Sequence, residues 1–137
     1  MPNPIVAIPD DELALLQYLK ARPEVLALIP ATQLSSDMPA SPVYPIVLVN
    51  RAGGTAHDRA YIDEPALQVD VMASTKRAAK QLTNVVRSAI LAIANDVVAE
   101  GTLVSAAEEV GPGWLPDTIS VPPVPRYTAR YQVLLHK

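Results

Sequence analysis

The side chains that could carry acid–base or metal chemistry are few, and they lie close together in the sequence. The chain has two histidines and no cysteine, which excludes disulfides, thiolate nucleophiles and zinc sites with Cys ligands. His57 and Asp58 are followed shortly by Asp63 and Glu64. Imidazole and carboxylate groups are ligands for several divalent ions, so these residues are the candidates for a metal or hydrolytic site. A solvated polar loop explains them more simply, and we prefer that interpretation.

Three further motifs fall short of a catalytic or phosphate-binding site. Gly53 and Gly54 lack the spaced glycines and the Lys-Ser/Thr ending of a phosphate loop, and they indicate a hinge. Glu108 and Glu109 would point to opposite faces of a strand, so they cannot easily serve one acid–base pair. The basic residues of the long predicted helix are typical of a solvated helix face; they are Lys76, Arg77, Lys80 and Arg87. We therefore expect no enzyme, no cofactor and no metal site.

The composition is that of one globular domain over residues 1–137. Half of the residues are apolar and 18% are charged, which excludes a disordered tail. The net charge is −3, and the basic residues are scattered, which argues against tight nucleic-acid binding. No apolar run approaches the ~20 residues that span a bilayer. The first residues lack the positive segment of a secretory signal, so we expect a protein made and kept in the cytoplasm, with no membrane partner.

Proline positions and hydrophobic periodicity divide the chain into six elements. A helix with Leu13 on its apolar face is predicted to begin at residues 10–12 and to stop before Pro23, which begins one more short turn. The apolar run at residues 46–49 and the alternating residues 66–73 predict two strands, separated by a long, flexible, polar loop at residues 51–61. A strongly periodic helix follows at residues 75–95, with Ser74 or Thr75 as its cap and with Ala78 first on its apolar face. Residues 102–110 and 127–137 predict two more strands, and residues 31–45 and 111–125 read as proline-rich connections.

This order predicts an α/β (α+β) fold with a four-stranded, mostly antiparallel sheet and two helices on one face. A right-handed crossover through the long helix gives the strand order first, second, fourth, third. The uncovered face would then carry a mixed polar patch beside the apolar Met72 and Leu134; its polar members are Gln68, Asp70, Arg130 and Gln132. Trp114, the only tryptophan, is expected either to cover the core or to anchor an interface.

Five segments in this order and spacing resemble the tail terminator proteins of long-tailed, siphovirus-type bacteriophages. The segments are PIVLVNRAGG (45–54), DEPALQVDVMA (63–73), VRSAI (86–90), GPGWLPD (111–117) and PRYTARYQV (125–133). The resemblance covers nearly the whole chain, and it depends on order and spacing because no single residue does unique chemistry.

The resemblance implies a virion protein of the tail or neck that forms a homo-hexameric ring at the head-proximal end of the tail tube. Such a ring stops tube growth and joins the tail to the head-completion protein of the neck, and DNA passes through its opening. It implies no catalytic residues. The candidate contacts with the tube or neck are Arg51, Gly53, Gly54, His57, Arg59 and Tyr61. The candidate interface residues are the four polar residues of the open face and Trp114.

Three alternatives remain open at this point. Another neck or tail-completion protein would join head and tail without limiting tube length. A small ligand-binding or hydrolytic domain would use His57, Asp58 and Asp63. A nucleic-acid binder would use the basic face of the long helix, and its DNA affinity would fall steeply with salt.

Overall fold

The computed structural model describes residues 2, 4–57 and 61–137 and consists of three α-helices packed on one curled sheet. The helices are α1 (Asp11–Lys20), α2 (Pro23–Leu26) and α3 (Lys76–Leu91), with a short 3-10 turn at Ala31–Gln33. The strands are β1 (Leu34–Ser35), β2 (Ile46–His57), β3 (Ile62–Met72), β4 (Ala94–Val97), β5 (Thr102–Trp114) and β6 (Arg126–His136). The sheet order is β1-β2-β3-β6-β5-β4.

The four predicted strands are adjacent in the predicted order, but the predicted number of elements is wrong. Strand β6 lies between β3 and β5 and is antiparallel to both. Strand β1 adds a parallel edge beside β2, and β4 adds an antiparallel edge beside β5, so the sheet is mixed and has six strands. The two edge strands have two and four residues, which is too short for a recognisable alternation of apolar and polar side chains.

The predicted loop at residues 51–61 is largely a β-hairpin. Strand β2 stays paired with β3 from Ile46 to His57, with a register shift between Arg51 and Gly53. Gly54 has a φ of +97°, and a Cβ there would collide with the carbonyl oxygen of Glu64. Glycine is therefore required at this irregularity. The part of β2 from Arg51 to His57 shows no alternation of apolar and polar side chains in the sequence, since all of its residues are exposed.

Strand β5 also extends beyond its predicted end. It continues through Gly111 to Trp114, although the sequence pattern assigns residues 111–116 to an irregular connection. Two register shifts, after Glu108 and after Val110, accommodate Pro112. Strand β4 pairs only with residues 102–105, so this part of β5 is a sheet edge, where a missing backbone donor is tolerated.

Helix ends follow the capping signals in the sequence. The Asp10 carboxylate accepts the Leu13 N–H at 3.0 Å, and the Thr75 hydroxyl accepts the Ala78 N–H at 3.1 Å. Pro23 begins α2. Helix α3 ends at Leu91 instead of residue 95 because residues 94–97 pair with β5. Among the described residues, every helix falls short of the length and hydrophobicity that a membrane crossing needs.

The core lies between the helices and one face of the sheet. Its members include Leu15 and Leu19 of α1, Leu82, Val86 and Ile90 of α3, Leu67, Val69 and Val71 of β3, and Tyr131, Val133 and Leu135 of β6. Two details of the predicted helix faces are wrong: Leu13 is exposed, and Ala79 is buried in place of Ala78. Both helices are rotated slightly from the orientation that the apolar spacing predicts.

Candidate interaction surfaces

The four polar residues predicted for the uncovered sheet face do lie together there. Gln68 is directly opposite Arg130, and its amide donates to the Asp70 carboxylate at 3.3 Å. Gln132 lies opposite Ala66 on the same pair of strands. Gln68 and Arg130 line a groove of about 170 Å³ together with Val110 of β5. The face can therefore offer both hydrogen-bonding and apolar groups to a partner.

Met72 does not contribute to this open face as expected. It is buried, as is Ile46, its partner on β2. Leu134 is half-buried. The open face is thus more polar than the alternation of side chains predicts, because its apolar end is covered.

At the hairpin end of the sheet, Arg51 connects α1 to β2 and β3. Its guanidinium binds both carboxylate oxygens of Asp63, at 2.5 and 3.1 Å, and one oxygen of Asp11 at 3.0 Å. The Arg51 backbone N–H donates to the Glu12 carboxylate at 2.7 Å. The hydrogen bonding of the guanidinium to the Asp63 carboxylate is the main cause of a raised pKa of Arg51. Asp63 is only 2% exposed, so this bidentate pair is internal to the hairpin, while the contacts of Arg51 with Asp11 and Glu12 hold the first turn of α1 against it.

These contacts divide the residues considered for a metal or hydrolytic site. Asp63 is occupied by Arg51, whereas Glu64 faces the other way and lies 3.2 Å from the His57 imidazole. Asp58 and Arg59 are outside the described residues. In the part of the chain that the structure describes, no three His, Asp or Glu side chains come together as metal ligands.

The other predicted contact residues line the hairpin itself. Gly53, Gly54 and His57 lie along the exposed end of β2, and Tyr61 is exposed just before β3. The Tyr61 carbonyl accepts the Lys137 N–H. Apart from Arg51, which is engaged internally, these residues are available to a partner.

Trp114 lies apart from the other candidate interface residues, at the opposite end of the sheet and on the helix side. The pairing of β5 with β6 brings it beside Tyr127, with ring centroids 5.3 Å apart. The Lys76 ammonium lies 4.6 Å from the Trp114 ring centre, and the Lys80 ammonium lies 4.9 Å from that of Tyr127. We call these four residues the lysine–aromatic surface. Sequence reasoning missed it, and its only local signal is the spacing of four between the lysines, which places them on one side of α3.

Trp114 thus combines features of both predicted roles. It packs against Tyr127, yet 43% of its surface remains exposed. Lys76, Lys80 and Tyr127, together with Arg77, also line an open groove of about 720 Å³. Cations held over aromatic rings beside such a groove are suited to binding carboxylates of a partner.

An ion pair between Arg87 of α3 and Glu108 of β5 connects these two elements. Arg87 binds Glu108 through two contacts, at 2.6 and 2.8 Å. Beneath them, burial raises the pKa of Tyr131 to about 12, with a smaller contribution from the Glu108 charge. The basic face of α3 is therefore partly neutralised within the chain.

Replacing Tyr131 by Phe should make the protein less sensitive to alkaline pH. A pKa raised from 10.0 to about 12 stabilises the fold fully below pH 10, and this contribution is lost as the pH rises towards 12. Between pH 8 and 11 the unmodified chain should lose about 1.4 kcal/mol more unfolding free energy than Tyr131→Phe. Urea unfolding at both pH values measures this difference. Tyr61→Phe, at an exposed position, should retain the unmodified pH dependence; equal dependence in all three proteins would contradict the assignment.

Comparison with known proteins identifies a matching family and a similar fold. A family model described as phage tail termination protein matches residues 7–120. Among solved structures, a chain from the virion of a native gene transfer agent particle is similar, with a TM-score of 0.67 and 17% identity over 93% of this chain and 95% of that chain. This likeness shows a shared fold. A comparison with curated protein sequences gave no match.

Proposed function

The chain belongs to the phage tail termination protein family, and from this premise we propose that it ends growth of the tail tube by forming a ring on its head-proximal end. The family is one of structural tail proteins, so the chain is a structural component of a virion tail. The observation that carries the proposal is the family match itself. The match extends from α1 through β5 and includes both edge strands of the sheet, β1 and β4.

The ring is expected to contain six copies, as in the tail terminators that the sequence resembles. A closed ring of identical subunits needs two different surfaces that fit each other head to tail. The hairpin end carries Asp11, Glu12 and Asp63, whereas the lysine–aromatic surface carries two lysines, and this difference in charge supports the arrangement. The remaining surfaces would contact the tube protein and the head-completion protein, while DNA passes through the opening.

The connection after β5 adds an apolar contact element. Residues 115–123, which we call the apolar arm, lie in the connection between β5 and β6, and Ile119 and Val121 are 94% and 95% exposed. Asp117 pairs with Val124 through two backbone hydrogen bonds, which close the base of this arm. Exposed apolar side chains that lie close together mark interaction sites, whereas single exposed apolar residues are common on any protein surface. The arm supports a role in assembly.

Adding the purified protein to polymerising tail-tube protein should limit tube length. Because a terminator blocks one tube end, electron micrographs should show short tubes with extra density at one end, whereas tubes without the protein keep growing. A length distribution unchanged by saturating protein would contradict termination and favour a protein that only joins head and tail.

The apolar arm provides a matched pair of variants for the same assay. Ile119→Ser combined with Val121→Ser removes exposed apolar surface that has little cover within the chain, so the unfolding midpoint should not change while length control weakens. Thr118→Ser, at the exposed position directly before Ile119 on the chain, should behave like the unmodified protein.

A further inference from the structure

Acidic side chains collect where α1 meets the hairpin. The Asp10 backbone N–H donates to the Glu100 carboxylate at 2.8 Å, and Glu12 accepts the Arg51 backbone N–H. We call this region the acidic end; its members are Asp10, Asp11, Glu12, Asp63, Glu64 and Glu100. Among the described residues, Arg51 and His57 are the only basic side chains paired with any of them. The dipole of α1 offsets only about half a charge, so the acidic end remains negative.

The lysine–aromatic surface has the opposite sign. Arg77 follows Lys76 on α3. Arg126 precedes Tyr127 on β6, and Tyr127 is the pairing partner of Trp114. The Arg126 side chain donates to the Leu115 carbonyl, not to an acid. Within the described residues, none of Lys76, Arg77, Lys80 and Arg126 forms a salt bridge. These cations are therefore available to carboxylates of another molecule.

Strand β3 separates the two charged regions. Asp63 lies at its start, and Lys76 follows four residues after its end at Met72. Its 11 residues correspond to roughly 35 Å at ~3.3 Å per residue. This separation exceeds the Debye length of about 8 Å at physiological salt. The two regions cannot neutralise each other within one chain, but they can do so between chains.

We propose that the lysine–aromatic surface of one copy binds the acidic end of a second copy, so that neighbouring subunits of the ring meet head to tail through opposite charges. The proposal rests on the ring of the proposed function and names its contact. A second copy is the favoured occupant because the chain itself carries both complementary surfaces. Like charges would repel if either region met its own copy across a two-fold axis, which favours a contact between the two different regions.

The aromatic rings strengthen such a contact beyond that of exposed lysines. Lys76 and Lys80 are already held over Trp114 and Tyr127, so less side-chain freedom is lost when a carboxylate binds. The exposed part of Trp114 can be buried in the same contact, and tryptophan is enriched among residues that dominate interface energy.

Charge reversal at each end tests the contact. One variant carries Lys76→Glu and Lys80→Glu, and the other carries Glu64→Lys and Glu100→Lys. Sedimentation of the unmodified chain at low salt should show self-association that weakens about tenfold in 0.5 M salt. Each variant alone should remain monomeric. An equimolar mixture should associate again, because the reversed surface of one variant meets the reversed surface of the other while their unmodified ends also fit.

A control variant separates surface charge from total charge. Lys20→Glu with Arg22→Glu changes the net charge as much as the lysine variant does, but on the opposite end of α1 and the start of α2, and should associate normally. Circular dichroism and the unfolding midpoint establish that every variant is folded.

Two results would overturn the proposal and leave termination standing. In one, both folded variants still associate, or their mixture fails to, which would mean that ring subunits use other surfaces. In the other, the unmodified chain stays monomeric at low salt while the lysine variant no longer limits tube length, which would assign the surface to the tube protein. Normal association through these ends without any effect on tube length would instead contradict the proposed function.

Discussion

Replacing Arg51 by Met should lower the free energy of unfolding by about 3 kcal/mol, because it leaves the Asp63 carboxylate buried without its partner. Asp63 accepts both guanidinium hydrogen bonds and is 2% exposed. The Arg51 side chain itself is 33% exposed, so its own removal from water is incomplete and the cost should lie at the lower end of the range for broken buried pairs. Urea unfolding at pH 7 measures the loss.

Two further variants show whether the buried charge is the cause. His57→Ala removes an exposed pair, since the His57 and Glu64 side chains are 52% and 31% exposed, and should change stability by less than about 1 kcal/mol. Arg51→Met combined with Asp63→Leu removes both charges and should recover most of the loss. If Arg51→Met were as mild as His57→Ala, the buried Asp63 charge would not depend on Arg51 for its stability.

Ile90→Ala should cost about 3 kcal/mol, because it leaves a cavity where α3 packs on the sheet. Ile90 has no exposed surface and belongs to the main core. The change keeps helix propensity high, since alanine is the best helix former, so the loss reports packing alone. Thermal or urea unfolding gives the difference directly.

The neighbouring residue is a matched control. Leu91 is 44% exposed, and Leu91→Ala should cost less than about 1 kcal/mol because little buried surface is lost. Comparable losses at the two positions would mean that the rotation of α3 in the structure is wrong. The comparison matters because the apolar spacing in the sequence predicts a slightly different rotation, with Ala78 in the core.

Hydrophobic period and capping chemistry are local, and the features that depend on them are the ones that the sequence predicts well. Helix α3, its Thr75 cap and the proline start of α2 are confirmed. The order of the four main strands is also confirmed, since few topologies satisfy a right-handed crossover with short connections.

The hairpin and the end of β5 are the clearest failures of local reasoning. Residues 51–57 and 111–114 contain four glycines, two alanines and one proline, and these residue types are depleted in strands. They are strands because β3 and β6 supply hydrogen-bonding partners along their full lengths. No window of the sequence contains that information.

At the candidate surfaces too, the sequence predicts features that depend on residues close together in the chain and misses contacts between residues far apart in it. Side-chain alternation along β3 and β6, together with the predicted strand order, correctly places four polar residues on one face of the sheet. These residues are Gln68, Asp70, Arg130 and Gln132. Alternation makes no prediction for the position of Trp114, which the sequence assigns to a proline-rich connection, because register shifts in β5 decide where the indole lies. The ion pair of Arg51 with Asp63 and the lysine–aromatic surface were both missed.

From the sequence alone come the family resemblance, the main elements and the lack of a recognisable catalytic motif, because these depend on residue type, spacing and short-range backbone preference. Only the tertiary structure decides which charges are paired internally and which remain for a partner. Arg51 and Asp63 neutralise each other across a hairpin, whereas Lys76 and Lys80 rest on rings contributed by β5 and β6. Electrostatic energy depends on distance and burial, and for residues far apart in the chain both quantities exist only after folding.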